Sequence, residues 1–487
     1  MEVRNERLSD QEFTRERKTV LGMWRTGREV DLEEAVEYHR RMAPGKNAAR
    51  KVTEAKRAGA TCVCSSSGTD TLDGHRELLR FLQTEGQADF VTTYIDSLTR
   101  NCRFDEAEAG VRKAKETGKA VLNGFPVVAH GVQGNRAVSE ALNVPVMLWG
   151  PTPDVRLVHE VGLAGGHTGY SAGPLISFWN YTKNVPVEAV IRNYQYVNRL
   201  MGYYEEKGVP ILYCVSGAMP ALSPPSLMIA PEIIEVLIAV KQGVKHIQLN
   251  SWLQGNIAQD VAYIEVFSRL AREYLDLFGH PDTEINAYSA CPTGRFPTDA
   301  AQAYGLIALF AAIGVLGNVA MMGTRTIDEA HHIPTKEGTA ASLRCCKTLV
   351  NMLKDQRLNL VDNAAVIEEA QMIEKEVRAI LDAVIDMGGG DVVVGTSRAI
   401  EAGILDQPYA TSQLVKGKVM GVRDVEGAAR YLDAGNLPFS REIVQYHKAK
   451  IACREKAAGR KVGYDAVVGD LTAMGVGRLR LDKEPAE

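Results

Sequence analysis

Residues 304–323 read YGLIALFAAIGVLGNVAMMG, a run without a single charge over 20 residues. That is about the length of a membrane span. However, Gly314, Gly317 and Asn318 break the run, and Arg325 follows at once. It reads instead as a buried helix, a short turn and a buried strand, because a parallel strand covered on both faces shows a continuous apolar run. Outward from it, comparable apolar segments occur at 61–66, 88–95, 120–125, 144–149, 175–179, 209–215, 246–251, 284–288 and 318–322. They recur every 25 to 40 residues or so with helical patterns between them, the alternation of βα units and a parallel sheet.

Eight such units over about 270 residues have the size of a TIM-type (β/α)8 barrel, with one candidate segment left outside the main sheet. A doubly wound sheet is the alternative, but the chain has neither GxGxxG after an early strand nor GxxxxGK[ST]. The expected organisation is an N-terminal helical extension over 1–60, an α/β barrel over 61–337 and a mostly helical C-terminal region over 338–487. The barrel would place reactive side chains at strand C-terminal ends and in the loops beyond them. Ser9-Asp10-Gln11-Glu12 reads as a helix capping box. In PEIIEVLIAVKQG (231–243), Pro231 suits a first helical turn and Gly243 a left-handed end. Ile373, Val377, Ile380, Leu381 and Val384 form an apolar stripe, and Gly388-Gly389-Gly390 reads as its C-cap rather than a phosphate cradle.

The composition is that of a large globular α/β enzyme: 487 residues, 45% hydrophobic and 24% charged, with 44 glycines. Lys plus Arg (56) nearly balance Asp plus Glu (60), and a net charge of −4 leaves no electrostatic footprint for nucleic acid or anionic lipid. Cys62, Cys64, Cys102, Cys214, Cys291, Cys345, Cys346 and Cys453 lack zinc-ribbon spacing and are too sparse for a disulfide scaffold, so they read as reduced and structural. The opening MEVRNERLSDQEFTRERK is charged throughout, without the apolar segment of a signal peptide, and a cytoplasmic location is expected.

Individual residues offer weaker signals. Asp328, Glu329, His331 and His332 look like a metal cluster, yet adjacent histidines point apart and no HExxH spacing supplies a third ligand; a polar loop without metal is expected. The stretch GLAGGHTGYSAG (162–173) either approaches a cofactor closely or merely connects. Arg100, in IDSLTRNCR, suits a carboxylate or phosphate through its planar fork, with a surface ion pair to Asp105 or Glu106 as the alternative. Asn123, in VLNGFP, can read the donor and acceptor edge of a ligand such as adenine, or cap the next helix. Glu329, beside Arg325, can accept ribose hydroxyls.

Many dispersed stretches in one order carry a family resemblance: RTGREVDLEEAVEYHR, ELLRFLQTEGQADF, VLNGFPVVAHGVQG, YTKNV, GYYEEKGV, Pro224-Pro225-Ser226, GNIAQD, EAHHIPTKE, NMLKDQR, VRDVEGAARYLDAGNLPF and GVGRLR. In these the chain resembles the large, epsilon chain of glutamate mutase (methylaspartate mutase), an adenosylcobalamin-dependent carbon-skeleton isomerase. The resemblance implies a TIM barrel whose open end meets the cobalamin carried by a separate small chain, in an assembly of two large and two small chains. The small chain's cobalamin-binding DxHxxG motif is missing here: Asp73-Gly74-His75 begins it, but Leu78 stands where the glycine belongs. The implied chemistry is homolysis of the cobalt–carbon bond, hydrogen abstraction from substrate, rearrangement and hydrogen return.

Carried over position by position, the resemblance implies cofactor contacts at Gly68, Asn123, Phe296, Glu329 and Ile333. Arg325 stands where a lysine is usual, and Asn180 where a proline is. The implied substrate positions are Arg100, Tyr181, Ser66, Trp149, Gly150, Ser171 and Ser177. Here the pattern changes: of three substrate-binding arginines only Arg100 remains, with Ser66 and Trp149 at the other two. Ser171 replaces a glutamate that contacts the substrate amine, and Ser177 a tyrosine. Two missing charge-assisted bonds, about 1.5–3 kcal/mol each, would lower affinity for a dicarboxylate by about two to four orders of magnitude. Glutamate to 3-methylaspartate is thus the reaction the family implies. The same chemistry on a different amino acid or 2-substituted acid is the competing reading. A non-catalytic partner of the small chain, and a metal-dependent barrel hydrolase, are readings from other classes.

Overall fold

A computed structural model describes residues 3–217, 221–292, 294–356 and 358–482. Eight parallel strands close into a barrel in chain order: β1 (Cys62–Ser67), β2 (Phe90–Tyr94), β3 (Val146–Trp149), β4 (Gly169–Ser171), β5 (Leu212–Cys214), β6 (His246–Trp252), β7 (Glu284–Ala290) and β8 (Met321–Gly323). The opening stretch behaves as expected: helix Ala300–Leu316, a turn in which Asn318 takes φ +57°, then β8. Among the described residues no helix is long and apolar enough to cross a membrane.

Three local readings need correction. Residues 120–125 form no strand of the barrel and meet it only through a bridge between Ile95 and Phe125. Residues 175–179 lie in helix Pro174–Tyr181, which Pro174 starts after extended Gly173; a five-residue apolar run does not by itself distinguish buried helix from buried strand. The fourth strand is instead Gly169–Ser171, inside the glycine-rich stretch, where three residues leave no periodicity to read. Pro231 sits inside helix Ser226–Lys241 rather than in its first turn, because the helix begins earlier, just after Pro225. The smaller expectations hold: the Ser9–Glu12 capping box is reciprocal, Gly243 takes φ +103° beyond its helix, and Gly388 ends helix Ala364–Met387.

Register assigns the barrel interior, since laterally paired residues of neighbouring strands share a face. Cys64 pairs with Phe90 and Gly323, Thr92 with Met147, Trp149 with Tyr94 and Ser171, and Gln248 with Cys214 and Asn286. Strand tilt then groups side chains from alternate strands into layers. From below upward these are Phe90, Gly169, Gln248 and Met321; then Cys64, Met147, Cys214 and Tyr288; then Thr92, Ser171, Asn250 and Gly323; and above them Ser66, Trp149 and Ala290. The lower layers form an apolar cluster with Ala48, Ala49 and Val52 of helix Ala48–Arg57, which stoppers the underside. Asn47 fastens that stopper by donating to the Pro210 carbonyl (2.8 Å), and the Ala48 N–H donates to Thr168 Oγ1 (3.1 Å).

Tyr288 lies across the barrel as a floor, its hydroxyl 3.9 Å from Cys64 Sγ and against Gly323, where a Cβ would overlap it. Gly323→Ala is therefore expected to cost about 1–3 kcal/mol through overpacking. Thermal unfolding should register the loss, and Tyr288→Phe in the same chain should recover part of it.

The C-terminal region contributes helices and one antiparallel hairpin, β9 (Met420–Arg423) with β10 (Ala429–Asp433), that helical patterning did not announce. Charged residues bind this hairpin to helix Ala364–Met387 and to the barrel loop after β6. Arg430, 1% exposed, pairs with Glu369 and with Asp424 (2.7 Å). Arg423 donates to the Gln254 carbonyl (2.8 Å), in the loop after β6.

Candidate active site

The upper end of the barrel opens above Thr92, Ser171 and Asn250, at the strand C-termini where the fold exposes its loops. One guanidinium stands on its wall. Arg100 closes the short helix Ser97–Arg100, which begins because Asp96 Oδ1 accepts from the N–H groups of Leu98 (2.9 Å) and Thr99 (3.0 Å). Asp96 is fully buried, and that burial holds its carboxyl above the ordinary range. Asn123 Oδ1 accepts from Ser97 N–H (2.9 Å) and steadies the same turn from the neighbouring loop. Asn123 thus does cap a helix, although not the one following it in the chain.

The Arg100 guanidinium lies between two rings, 5.4 Å from the centre of Tyr94 and 5.7 Å from that of Tyr181. Trp149 stacks on Tyr94 at 4.7 Å. A Cβ on Gly150 would come within 2.9 Å of Arg100 Cδ, so this glycine gives the arginine stem its passage. Arg100 makes no pair with Asp105 or Glu106; Arg103 takes Glu106 instead. Its buried Nε has no protein partner. An arginine fork held among aromatic rings with an unmet donor is built to receive a carboxylate.

Tyr181 ends helix Pro174–Tyr181, and burial raises its phenol's pKa. Asn180 precedes it, with both ends of its amide buried and unpartnered. Gly68 lies where a Cβ would strike the Tyr94 carbonyl and approach Gly124 Cα at 3.0 Å, so three backbone segments meet beside the opening. Ser66 is exposed at the end of β1, and Ser171 lies 9% exposed on the chamber wall. Arg325 and Glu329 pair at 3.2 Å beyond β8. Ile333 projects 74% exposed from the following loop, while Phe296 is buried. Ser177 is not brought to the opening: it faces the core, its Oγ 2.8 Å from the Tyr194 hydroxyl.

His331 and His332 turn to different carbonyls, those of Thr298 and Ile333, and among the described residues no three ligand side chains gather around a metal position. His75 is buried, stacked 4.2 Å from Phe125 within helix Leu72–Thr84. It cannot reach an outside ligand.

Sequence reasoning missed Tyr94, Asp96 and Glu235. Asp96-Ser97 carried an N-cap signal that pointed to a helix after β2. Glu235 stands on a helix whose side chains are otherwise almost all apolar. Its carboxylate accepts from Leu175 N–H (2.8 Å), at the start of the helix bearing Asn180 and Tyr181, and from Ser216 N–H (3.1 Å) just past β5. Gly173 leaves room for it, since a Cβ there would overlap the carboxylate.

The sequence matches the family described as methylaspartate mutase E chain over residues 42–482. It is 43% identical over 480 residues to the glutamate mutase epsilon subunit of Desulfitobacterium hafniense, covering 98% of this chain and 99% of that one. The glutamate mutase epsilon subunits of Treponema denticola (39% over 480 residues) and Yersinia enterocolitica (37% over 481) align over the same shares of each chain.

Proposed function

The chain belongs to the methylaspartate mutase E chain family, and on that premise we propose that it is the large, catalytic chain of an adenosylcobalamin-dependent carbon-skeleton mutase, an isomerase. One observation carries the reading furthest. A barrel stoppered below presents a chamber whose wall holds Arg100 beside Tyr94 and Tyr181, with the unpartnered Asn180 amide next to Tyr181 in the chain.

The residues at the mouth fit the nucleoside of such a cofactor. The Asn180 amide offers an acceptor and two donors to a base edge. Glu329, paired with Arg325, can accept ribose hydroxyls, and Gly68, Asn123, Phe296 and Ile333 are assigned as the remaining contacts by the family resemblance. Bound adenosylcobalamin supplies a cobalt–carbon bond that breaks homolytically and thereby the power to abstract a substrate hydrogen. The chain's own residues position and protect. Arg100 fixes the substrate carboxylate, the Trp149 and Tyr94 rings wall the carbon skeleton, and the closed floor keeps water out from below. Cobalt ligation is assigned to a separate small chain with a DxHxxG motif, in an assembly of two large and two small chains in the cytoplasm.

The test is reconstitution with such a small chain and adenosylcobalamin. Substrate-dependent cob(II)alamin absorption with a coupled organic radical is expected. Silence with every acid tried would favour a non-catalytic partner.

The substrate itself follows from the wall. By the family resemblance Ser66 and Trp149 hold the positions of the two other substrate-binding arginines, and neither is a cation. The reading favoured is therefore an amino acid or 2-substituted acid less acidic than glutamate. Ser66→Arg with Trp149→Arg is expected to raise apparent affinity for glutamate by about ten- to a hundredfold, measured as a fall in KM. Rapid glutamate turnover by the unaltered enzyme at ordinary concentrations would refute the altered specificity.

A further inference from the structure

The inner face of β6 carries two amides in succession, Gln248 and Asn250, paired across to Asn286 and Tyr288 of β7. All three amides are at most 1% exposed, yet both ends of Gln248 and the Oδ1 atoms of Asn250 and Asn286 have no hydrogen-bond partner. Each unmet buried acceptor is costly, so a merely packed barrel would hold leucine or valine at these positions.

Asn250 differs from the other two. Gln248 and Asn286 lie beneath the layer of Tyr288, closed off from the opening. Asn250 lies above it, level with Thr92 and Ser171 and one layer below that of Ser66, Trp149 and Ala290. Its backbone is pinned from outside the barrel: its N–H donates to Glu232 Oε2 (3.1 Å) and its carbonyl accepts from the Tyr263 hydroxyl (3.4 Å). The side chain is thereby held towards the chamber, which is the arrangement of a reading group rather than of a structural strut. The other inward-facing strand residues at and above this layer are Ser66, Thr92, Tyr94, Trp149, Ser171, Trp252, Ala290 and Gly323, none of them a carboxylate.

We infer that Asn250 is a specificity-determining residue: its Oδ1 accepts from the 2-amino or 2-hydroxyl group of a small acid whose single carboxylate rests on Arg100. This rests on the mutase reading and narrows it to 2-amino or 2-hydroxy monocarboxylic acids. An amide in this place rewards a substrate donor and penalises its absence, because the acceptor is otherwise stranded.

Calorimetric titration of the complex of both chains with adenosylcobalamin tests this, using L-2-aminobutyrate, L-2-hydroxybutyrate and butyrate as probes. At least one of the substituted acids should bind about tenfold or more tightly than butyrate. Asn250→Leu should reduce that preference to within about threefold while leaving butyrate affinity essentially unchanged and the melting temperature unlowered. Asn250→Asp should strengthen the preference for the amino acid over the hydroxy acid, and it decides the matter if the leucine variant does not fold. Gln248→Leu, deeper on the same strand, should leave the preference intact.

The inference is overturned if the unaltered complex shows no preference, if the preference survives in Asn250→Leu, or if the aspartate variant does not shift it towards the amine. Its failure is separable from that of the mutase reading. A preference lost with Asn250 in a complex that never forms cob(II)alamin would sink the reaction alone. Radical formation with the preference intact in Asn250→Leu would sink only the role of Asn250.

Discussion

Arg100→Met is expected to lower kcat/KM at least about a hundredfold, since a buried charge-assisted pair contributes up to about 3 kcal/mol and its loss also leaves the substrate carboxylate stranded between Tyr94 and Tyr181. The loss should fall on KM as well as kcat, because the guanidinium both binds the acid and fixes its carbon skeleton. Arg100→Lys should recover only a fraction: an ammonium is a point charge and cannot reproduce a planar fork set within cation–π reach of two rings. Folding should be little affected, since the Arg100 side chain makes no ion pair among the described residues and its buried Nε is unpartnered. A variant that folds and binds the small chain yet turns over acids at the unaltered rate would remove Arg100 from the site.

Glu235→Leu is expected to be the most disruptive change away from the chamber wall. It strands the N–H groups of Leu175 and Ser216, at about 1–3 kcal/mol each, and loosens the helix that carries Asn180 and Tyr181. Urea unfolding should show a loss of about 2–6 kcal/mol, and kcat should fall further than stability alone explains. Glu235→Gln keeps one acceptor and should retain partial activity. The pH dependence separates the two effects. Burial pushes the Glu235 carboxyl up to about 8, far above its value in the unfolded chain. Its contribution is therefore complete below the ordinary carboxylate pKa and is lost as pH rises through about 8. The stability gap between the parent protein and Glu235→Gln should accordingly narrow from pH 5 to pH 8. A constant gap over that window would place the carboxyl's titration elsewhere.

Seven of the eight strands were legible, β3, β5 and β8 among them although they have only three or four residues. β1, β2, β6 and β7 show themselves as apolar or β-branched runs, and the stretch before β8 announces a helix, a turn and a strand through Gly317 and Asn318. β4 was not legible, because Gly169–Ser171 lies among residues typical of loops. The neighbouring LISFW was mistaken for it, since apolar content alone does not distinguish a buried helix. In the site, Arg100 was singled out by its place after an apolar run as well as by resemblance, Tyr181 by resemblance alone, and the structure brings them within cation–π distance. Asn250 and Glu235 stayed silent. A polar residue in a buried strand declares its direction only when register is known, and a glutamate on an apolar helix declares its partners only when the distant amides are in place. Ser177 shows the converse: matched by position, it turns to Tyr194 and away from the opening.

The stopper formed by helix Ala48–Arg57 leaves, among the described residues, one end of the vessel open. On the proposed function a small acid entering, a product departing and a partner chain seated at the rim would share that threshold. Traffic is consequently sequential: whatever sits on the rim must lift or breathe before the contents change, and the pace of exchange belongs to the joint between the two bodies as much as to the reaction inside.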